Sequence, residues 1–320
     1  MKNALLAIGL MLLTGSIYNL DRELETQLIT QFDKYQTNFN KKYHGSEYIY
    51  RLQVYQSNLV DINAKNAKYR TQIFGETQFT DLTDEEFSSI YLTLKLEPSD
   101  QNVQRLEFKN VNLTPIDWRS RGAVTPVKNQ GQCGSCWAFS TTGVLEGFFK
   151  VTTDELPDLS EQQLVDCSTI LDYNKGCEGG APIRALNYVK RNGITTQATY
   201  PYIAEQNKNC LIKGGVYHIS VTVSIFANEA AHQAALQEGP ISVAVQASNW
   251  KNYKPTDDDF IFPSSACTGD INHAVLAVGF TSEALIIKNS WATTWGANGY
   301  IYLQGGVNTC SVWNNSIVPK

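Results

Sequence analysis

The chain has 320 residues, 42 % hydrophobic and 18 % charged, which suits one large globular domain or two modest ones and excludes a disordered, collagen-like or coiled-coil chain. With 26 basic against 31 acidic residues the net charge is -5, so the basic field that binding to nucleic acid or anionic lipid draws on is missing. Seven cysteines, all between Cys133 and Cys310, make an odd set, which suggests paired bridges plus one free thiol.

Met1, Lys2 and Asn3 precede an apolar run from Ala4 to Leu13 and then the small residues Thr14, Gly15 and Ser16. This reads as a secretory signal peptide over residues 1–16 and predicts entry into a compartment where disulfides form. A membrane span needs about 20 apolar residues, and no later segment supplies them. From Glu23 to Leu94 the sequence is polar, free of cysteine and helical in pattern, interrupted at Gly45 and Gly75. Glu47, Arg51, Tyr55, Asn58, Ile62 and Asn66, spaced 4, 4, 3, 4 and 4, share one helical face. A solvated helix with accidental spacing is the competing reading. Residues 95–116 form a polar linker, with Pro98, Ser99 and Asp100 at one end and Leu113, Thr114 and Pro115 at the other, and read as a processing region.

After Asp117 the pattern changes. Cys136 to Lys150 is apolar with small residues and predicts a long buried helix. Ser160 and Gln163 form a capping box opening a helix that carries Cys167. Pro182 to Arg191 predicts another, stopping before Gly193. Strands are predicted over Tyr217–Ser224, Ile241–Val245, His273–Phe280, Ala284–Asn289 and Tyr300–Leu303. A helical half followed by a β half predicts an α+β fold with a cleft between the halves.

Gln130-Gly131-Gln132-Cys133-Gly134-Ser135-Cys136-Trp137 is the stretch richest in chemistry. A thiol attacks only as thiolate, and an ordinary cysteine with pKa about 8.5 is mostly protonated at neutral pH. A helix N-terminus and a nearby histidine correct this, and Cys136 opens the predicted helix. Of four histidines, His44 lies in the cysteine-free segment, and nothing in the sequence gives His218 or His232 a polar partner. His273 begins a strand, and a hairpin about Thr281–Glu283 brings it level with Asn289. Asn289 then orients the imidazole while the other ring nitrogen faces the thiol. Three readings of Cys133-x-x-Cys136 stay open: a redox dithiol, a zinc half-site, and one bridged cysteine beside one free one, which the odd total favours.

These residues resemble the papain-like cysteine peptidases, closest to the cathepsin L type. Asp117-Trp118, Gln130 to Ser140, Ser160 to Cys167, Gly176 to Gly180, Asn272 to Val275 and Lys288 to Trp291 look like family motifs in family order. The helical stripe resembles the ERFNIN signature of the propeptide, with Tyr55 at its aromatic position. Gly75, Phe79 and Asp81 resemble a second propeptide motif, with Thr77 where Asn is usual.

The resemblance implies a two-lobed α+β fold, a helical left lobe and a β-barrel-like right lobe, preceded by a helical propeptide. It implies a signal peptide over 1–16, an inhibitory propeptide over 17–111 and a peptidase domain over 112–320. Cys136 would be the nucleophile, His273 the base and acid, and Asn289 its orienter. Gln130 would supply an amide to the oxyanion hole beside the Cys136 N–H. Trp291 would cover the His273–Asn289 bond, and Trp295 would line the leaving-group side. The family pairs the remaining cysteines as Cys133–Cys177, Cys167–Cys210 and Cys267–Cys310. Gly179 and Gly180 match the strip that pairs with an extended peptide. Pro182, Ala244, Ile271, Ala274 and Asn315 match the pocket for the second residue before the cut, which implies a bulky apolar preference there.

The implied activity is an endopeptidase made as an inactive proenzyme, needing no metal or organic cofactor. Its expected partners are polypeptide substrates, its own propeptide and cystatin-like inhibitors, with no nucleic acid and no membrane span. A monomer is expected in the secretory pathway, in a lysosome or other acidic vacuole, or outside the cell. A secreted thiol-disulfide oxidoreductase and a non-catalytic binding protein on the same fold are the rivals. Asn272 stands where Asp is usual, and Ala292 and Thr294 where Gly is usual. Asn112-Leu113-Thr114 and Asn314-Asn315-Ser316 are glycosylation sequons.

Overall fold

A computed structural model describes residues 23–69, 72–96, 105–106, 113–169, 172–258 and 260–320. The expected signal peptide over 1–16 and most of the linker lie outside them.

The N-terminal segment is built from helices α1 (23–38), α2 (Gly45–Tyr69) and α3 (Asp84–Tyr91). The stripe on α2 turns inward: Tyr55, Asn58 and Ile62 are buried, and Tyr55 packs against Phe32 and Tyr35 of α1. Its polar members catch the chain as it returns. Asn58 Nδ2 donates to the carbonyls of Thr80 at 2.7 Å and Leu82 at 2.9 Å. Asn66 donates to Phe74 O at 2.8 Å and accepts from the N–H groups of Ile73 and Phe74. These bonds rule out a solvated helix with accidental spacing. A complete capping box opens α3, with Thr83 and Glu86 each accepting from the other's backbone.

One lobe of the remainder is helical. Helix α4 (Cys136–Thr153) is buried along most of its length and packs against α5 (Glu161–Cys167) and α6 (Pro182–Asn192). Ser160 Oγ accepts from the Gln163 N–H at 3.0 Å as predicted, but the Gln163 side chain does not return to Ser160. It holds Tyr188, Gly214 and Thr195 instead, so only half a capping box forms. Pro182 starts α6, and Gly193, with φ 75°, ends it where a Cβ would lie 2.3 Å from Gly215 O.

The second lobe is a mixed sheet of β1 (Arg105–Leu106), β2 (Ile116–Asp117), β3 (Thr222–Ile225), β4 (Ile241–Val245), β5 (Ile261–Phe262), β6 (His273–Phe280), β7 (Ala284–Lys288), β8 (Tyr300–Gln304) and β9 (Ser316–Pro319). The order is β1-β3-β9-β4-β6-β7-β8-β5, with β2 added to β6. This corrects the expected barrel: among the described residues the sheet is open, ending on the two-residue strands β1 and β5, which do not pair with each other. The predicted strand at Tyr217–Ser224 starts later, because Tyr217 bridges Ile194 in the helical lobe. Helix α7 (Glu229–Glu238), capped by Asn228, was not predicted. Disulfides join Cys133–Cys177, Cys167–Cys210 and Cys267–Cys310 across 44, 43 and 43 residues. Loops of that length contribute about 4 kcal/mol each in the chain-entropy model. Among the described residues no helix is long and apolar enough to cross a membrane.

Candidate active site

Cys136 is the free cysteine and is fully buried at the first position of α4. Burial pushes its thiol up to about 11, while the N–H groups of Ala274, Trp137 and Thr93 and the Thr93 hydroxyl pull the other way. Those donors stabilise a thiolate once water or a cation compensates the burial.

His273 opens β6, and its Nε2 lies 2.8 Å from Asn289 Oδ1, just beyond the end of β7. The Ser290 N–H also donates to Asn289 Oδ1 at 2.8 Å, which fixes that atom as an acceptor. Nε2 therefore carries the ring proton, and Nδ1 is the basic nitrogen. Among the described residues Nδ1 has no hydrogen-bond partner. Burial pushes the imidazole down to about 4, against the opposing effects of Asn289 and the Tyr91 backbone. Burial thus disfavours the charged form of both thiol and imidazole while the inhibitor segment covers them. Trp291 stacks on the imidazole with centroids 4.6 Å apart and planes 27° apart, shielding the bond to Asn289.

Gln130 is buried, and its Oε1 accepts from Ser290 Oγ at 2.7 Å and Trp291 Nε1 at 3.1 Å. Nε2 gives one proton to Cys133 O at 3.0 Å and keeps a second donor.

The cleft is filled by the chain leaving α3. Leu94 N–H donates to Asn272 O at 3.2 Å and Lys95 N–H to Gly180 O at 2.8 Å. Thr93 Oγ1 donates to Gly134 O at 2.8 Å. A Cβ on Gly179 would lie 2.1 Å from Thr93 O, so the bare strip is what lets this backbone in. The Leu94 side chain packs with Cys136, Ala244 and Ala274, and Ile271 borders the cluster. Phe79, Phe87 and Tyr91 surround Trp291 at 5.4, 5.3 and 6.3 Å between centroids. Gln78 Nε2 donates to Trp291 O at 2.5 Å, and Lys251 reaches Asn58 at 2.7 Å and Asp84 at 2.5 Å.

Residues 114–320 match the papain family cysteine protease and residues 32–87 the cathepsin propeptide inhibitor domain (I29). The chain belongs to the papain family of cysteine proteases. It is 39 % identical over 303 residues to digestive cysteine proteinase 1 of Homarus americanus, covering 90 % of this chain and 94 % of that protein. Pro-cathepsin H of Bos taurus is 39 % identical over 298 residues, covering 88 % and 87 %. The solved structure of digestive procathepsin L 3 of Tenebrio molitor larval midgut superposes with a TM-score of 0.81 at 32 % identity, covering 91 % of this chain and 98 % of that one.

This papain-family protease carries its own inhibitor domain, so the structure is that of a proenzyme. The bond from Cys133 to Cys177 removes the Cys133/Cys136 dithiol on which the oxidoreductase reading rested. Of the expected pocket residues, Ala244, Ala274 and Ile271 gather about Leu94. Asn315 joins through its carbonyl, which accepts from the Ala244 N–H at 2.9 Å, and Pro182 is the first residue of α6. Trp295 is buried against Trp250, Tyr253 and Trp291 in the proenzyme. Asn272 turns its side chain to Ala247 and Ser248 and offers the cleft its carbonyl. Ala292 occupies the left-handed region at φ 60°, where glycine is the unstrained choice. Thr294 Oγ1 donates to Gln78 Oε1 at 3.1 Å, a contact to the inhibitor segment that glycine cannot make. Thr93, Leu94, Gln78 and Phe87 escaped the sequence analysis, since no spacing rule links them to the cleft.

Proposed function

We propose that Cys136 is the nucleophile, with His273 as general base and acid, Asn289 as its orienter, and Gln130 Nε2 with the Cys136 N–H as oxyanion donors. The observation that carries this reading is the Asn289 bond, which leaves His273 Nδ1 as the free base beside the helix that presents the thiol. When the inhibitor segment leaves, Nδ1 takes the thiol proton and the thiolate attacks a peptide carbonyl. The oxyanion is held by the two donors, His273 protonates the departing amine, and water activated by His273 hydrolyses the thioester.

Acid favours release in this scheme. His273 is held neutral down to about 4 in the clamped state, so below the ordinary histidine range proton uptake is linked to uncovering the ring. We assign residues 1–16 to a signal peptide, 17–111 to the inhibitory propeptide and 112–320 to the enzyme. The three disulfides support passage through the secretory pathway, to an acidic vacuole or outside the cell. Cystatin-like inhibitors fit the vacated cleft, and the enzyme acts as a monomer without metal or nucleic acid.

Leu94, packed among Ala244, Ala274 and Cys136, supports a pocket that takes a bulky apolar residue second before the cut. Incubation at about pH 4 to 5 followed by N-terminal sequencing is expected to give a new terminus within residues 95–116. Peptide-library profiling of the product is expected to favour Leu, Val or Phe at that subsite. A dominant Arg or Lys preference overturns the pocket assignment, and a terminus inside residues 117–320 overturns the domain assignment.

A further inference from the structure

Lys251 stands on the peptidase side of the inhibitor interface, and its side chain is only 6 % exposed. An ammonium has three protons to donate and no acceptor. Here all three go to the inhibitor segment: to Asn58 Oδ1 at 2.7 Å, Leu82 O at 3.0 Å and Asp84 Oδ1 at 2.5 Å. The acceptors come from α2, from the turn before α3 and from the first residue of α3, so the ammonium is satisfied only by a folded segment. The Asn58 amide is oriented from its own side. Its Nδ2 gives both protons to the carbonyls of Thr80 and Leu82, which turns Oδ1 toward the enzyme as an acceptor.

The same segment holds the backbone around Lys251. Thr77 Oγ1 donates to Lys251 O at 2.7 Å, and Thr80 Oγ1 donates to Asn252 Oδ1 at 3.0 Å. Thr77, which stands where Asn is usual, thus fixes the residue whose ammonium meets Asn58 and Asp84. A buried ammonium that lacks an acceptor is strongly disfavoured, and one facing a like charge more so. Any segment lying in this place is therefore tested by Lys251. One that is apolar at the Asn58 position leaves the charge short of a partner, and one that is basic at the Asp84 position opposes it.

We propose that Lys251 is a selectivity residue for the inhibitor segment: it admits a helical segment that sets a side-chain amide, a backbone carbonyl and a carboxylate around one ammonium, and it rejects a segment with an apolar side chain or a cation in their place. The inference rests on the assignment of the segment as inhibitor. An uncharged side chain at position 251 holds the segment less tightly and no longer discriminates.

The test is a double-mutant cycle on the intact proenzyme, with the rate of Cys136 labelling by excess E-64 at pH 7, read by mass, as the measure of how often the segment lifts. Asp84→Lys sets a like charge against Lys251, and the Asp84 side chain is 79 % exposed, so the change disturbs no packing. It is expected to raise the rate about thirtyfold. In the Lys251→Met background the same Asp84→Lys change is expected to raise it about threefold, the share owed to a cation at the N-terminus of α3. Lys251→Met alone is expected to raise the rate about tenfold, since Asn58 Oδ1 and Leu82 O lose their donor. Lys251→Gln, which keeps a donor for Asn58 Oδ1 without the charge, carries the cycle if Lys251→Met does not accumulate. An Asp84→Lys effect that agrees within about twofold in the two backgrounds, or a Lys251→Met rate within about twofold of wild type, overturns the inference. Wild-type proenzyme labelled as fast as the acid-processed enzyme overturns the inhibitor assignment instead, because the segment then does not cover the thiol.

Discussion

Phe87→Ala is expected to loosen the inhibitor segment by an amount that its surroundings set. The ring is 1 % exposed and meets Phe79, Tyr91 and Trp291 at 5.2, 5.4 and 5.3 Å between centroids. Truncating a buried phenylalanine costs about 3 to 5 kcal/mol. Two of the three partner rings belong to the inhibitor segment itself, so about a third of the loss, about 1 to 1.7 kcal/mol, falls on docking against Trp291. At 1.4 kcal/mol per decade this raises the open fraction about five- to fifteenfold. The assay is labelling of the intact proenzyme at pH 7 with excess E-64, followed by mass, since only open molecules present Cys136. A rise of less than about threefold, with the peptidase lobe still folded, refutes the claim that this aromatic cluster holds the clamp.

Thr294→Gly removes an exposed hydrogen bond to Gln78 and is expected to speed the same labelling about two- to fivefold, with activity of the processed enzyme retained. Ala292→Gly relieves about 1 to 2 kcal/mol of left-handed strain at φ 60°. Part of that is offset by the added freedom of the unfolded chain, so a net gain of about 0.5 to 1 kcal/mol is expected in urea unfolding. His232 is buried, accepts from Ser316 Oγ at 2.6 Å and is pushed by desolvation down to about 4. Its folded-state pKa lies below the unfolded value near 6.5, so its contribution is complete above pH 6.5 and is lost as the pH falls toward 4. The shift corresponds to about 3 kcal/mol, and urea midpoints of His232→Asn measured across that window should fall less steeply than wild type.

Much of the fold was legible because the signals are local. The apolar run after Cys136, the proline that opens α6 and the short apolar runs at Ile241–Val245 and His273–Phe280 each mark an element within about ten residues. Helix α7 was missed because its alanine-rich turn has no strong apolar period, although Asn228 is a usable cap. The open sheet was not legible, since closure depends on the pairing of two-residue strands that carry no pattern of their own. At the site, the hairpin arithmetic placed His273 beside Asn289, and the odd cysteine count pointed to one free thiol. The roles of Thr93 and Leu94 were invisible, because each acts on residues more than 40 positions away through contacts that sequence spacing does not encode.

The most direct test is whether Cys136 is the one reactive thiol, masked until the inhibitor segment leaves. Peptide mapping of the E-64 adduct before and after acid processing measures this directly. One adduct per chain, on Cys136 and formed rapidly only after processing, is the result expected. An adduct on any other residue, or equal labelling of Cys136 in the proenzyme and the processed enzyme, contradicts it.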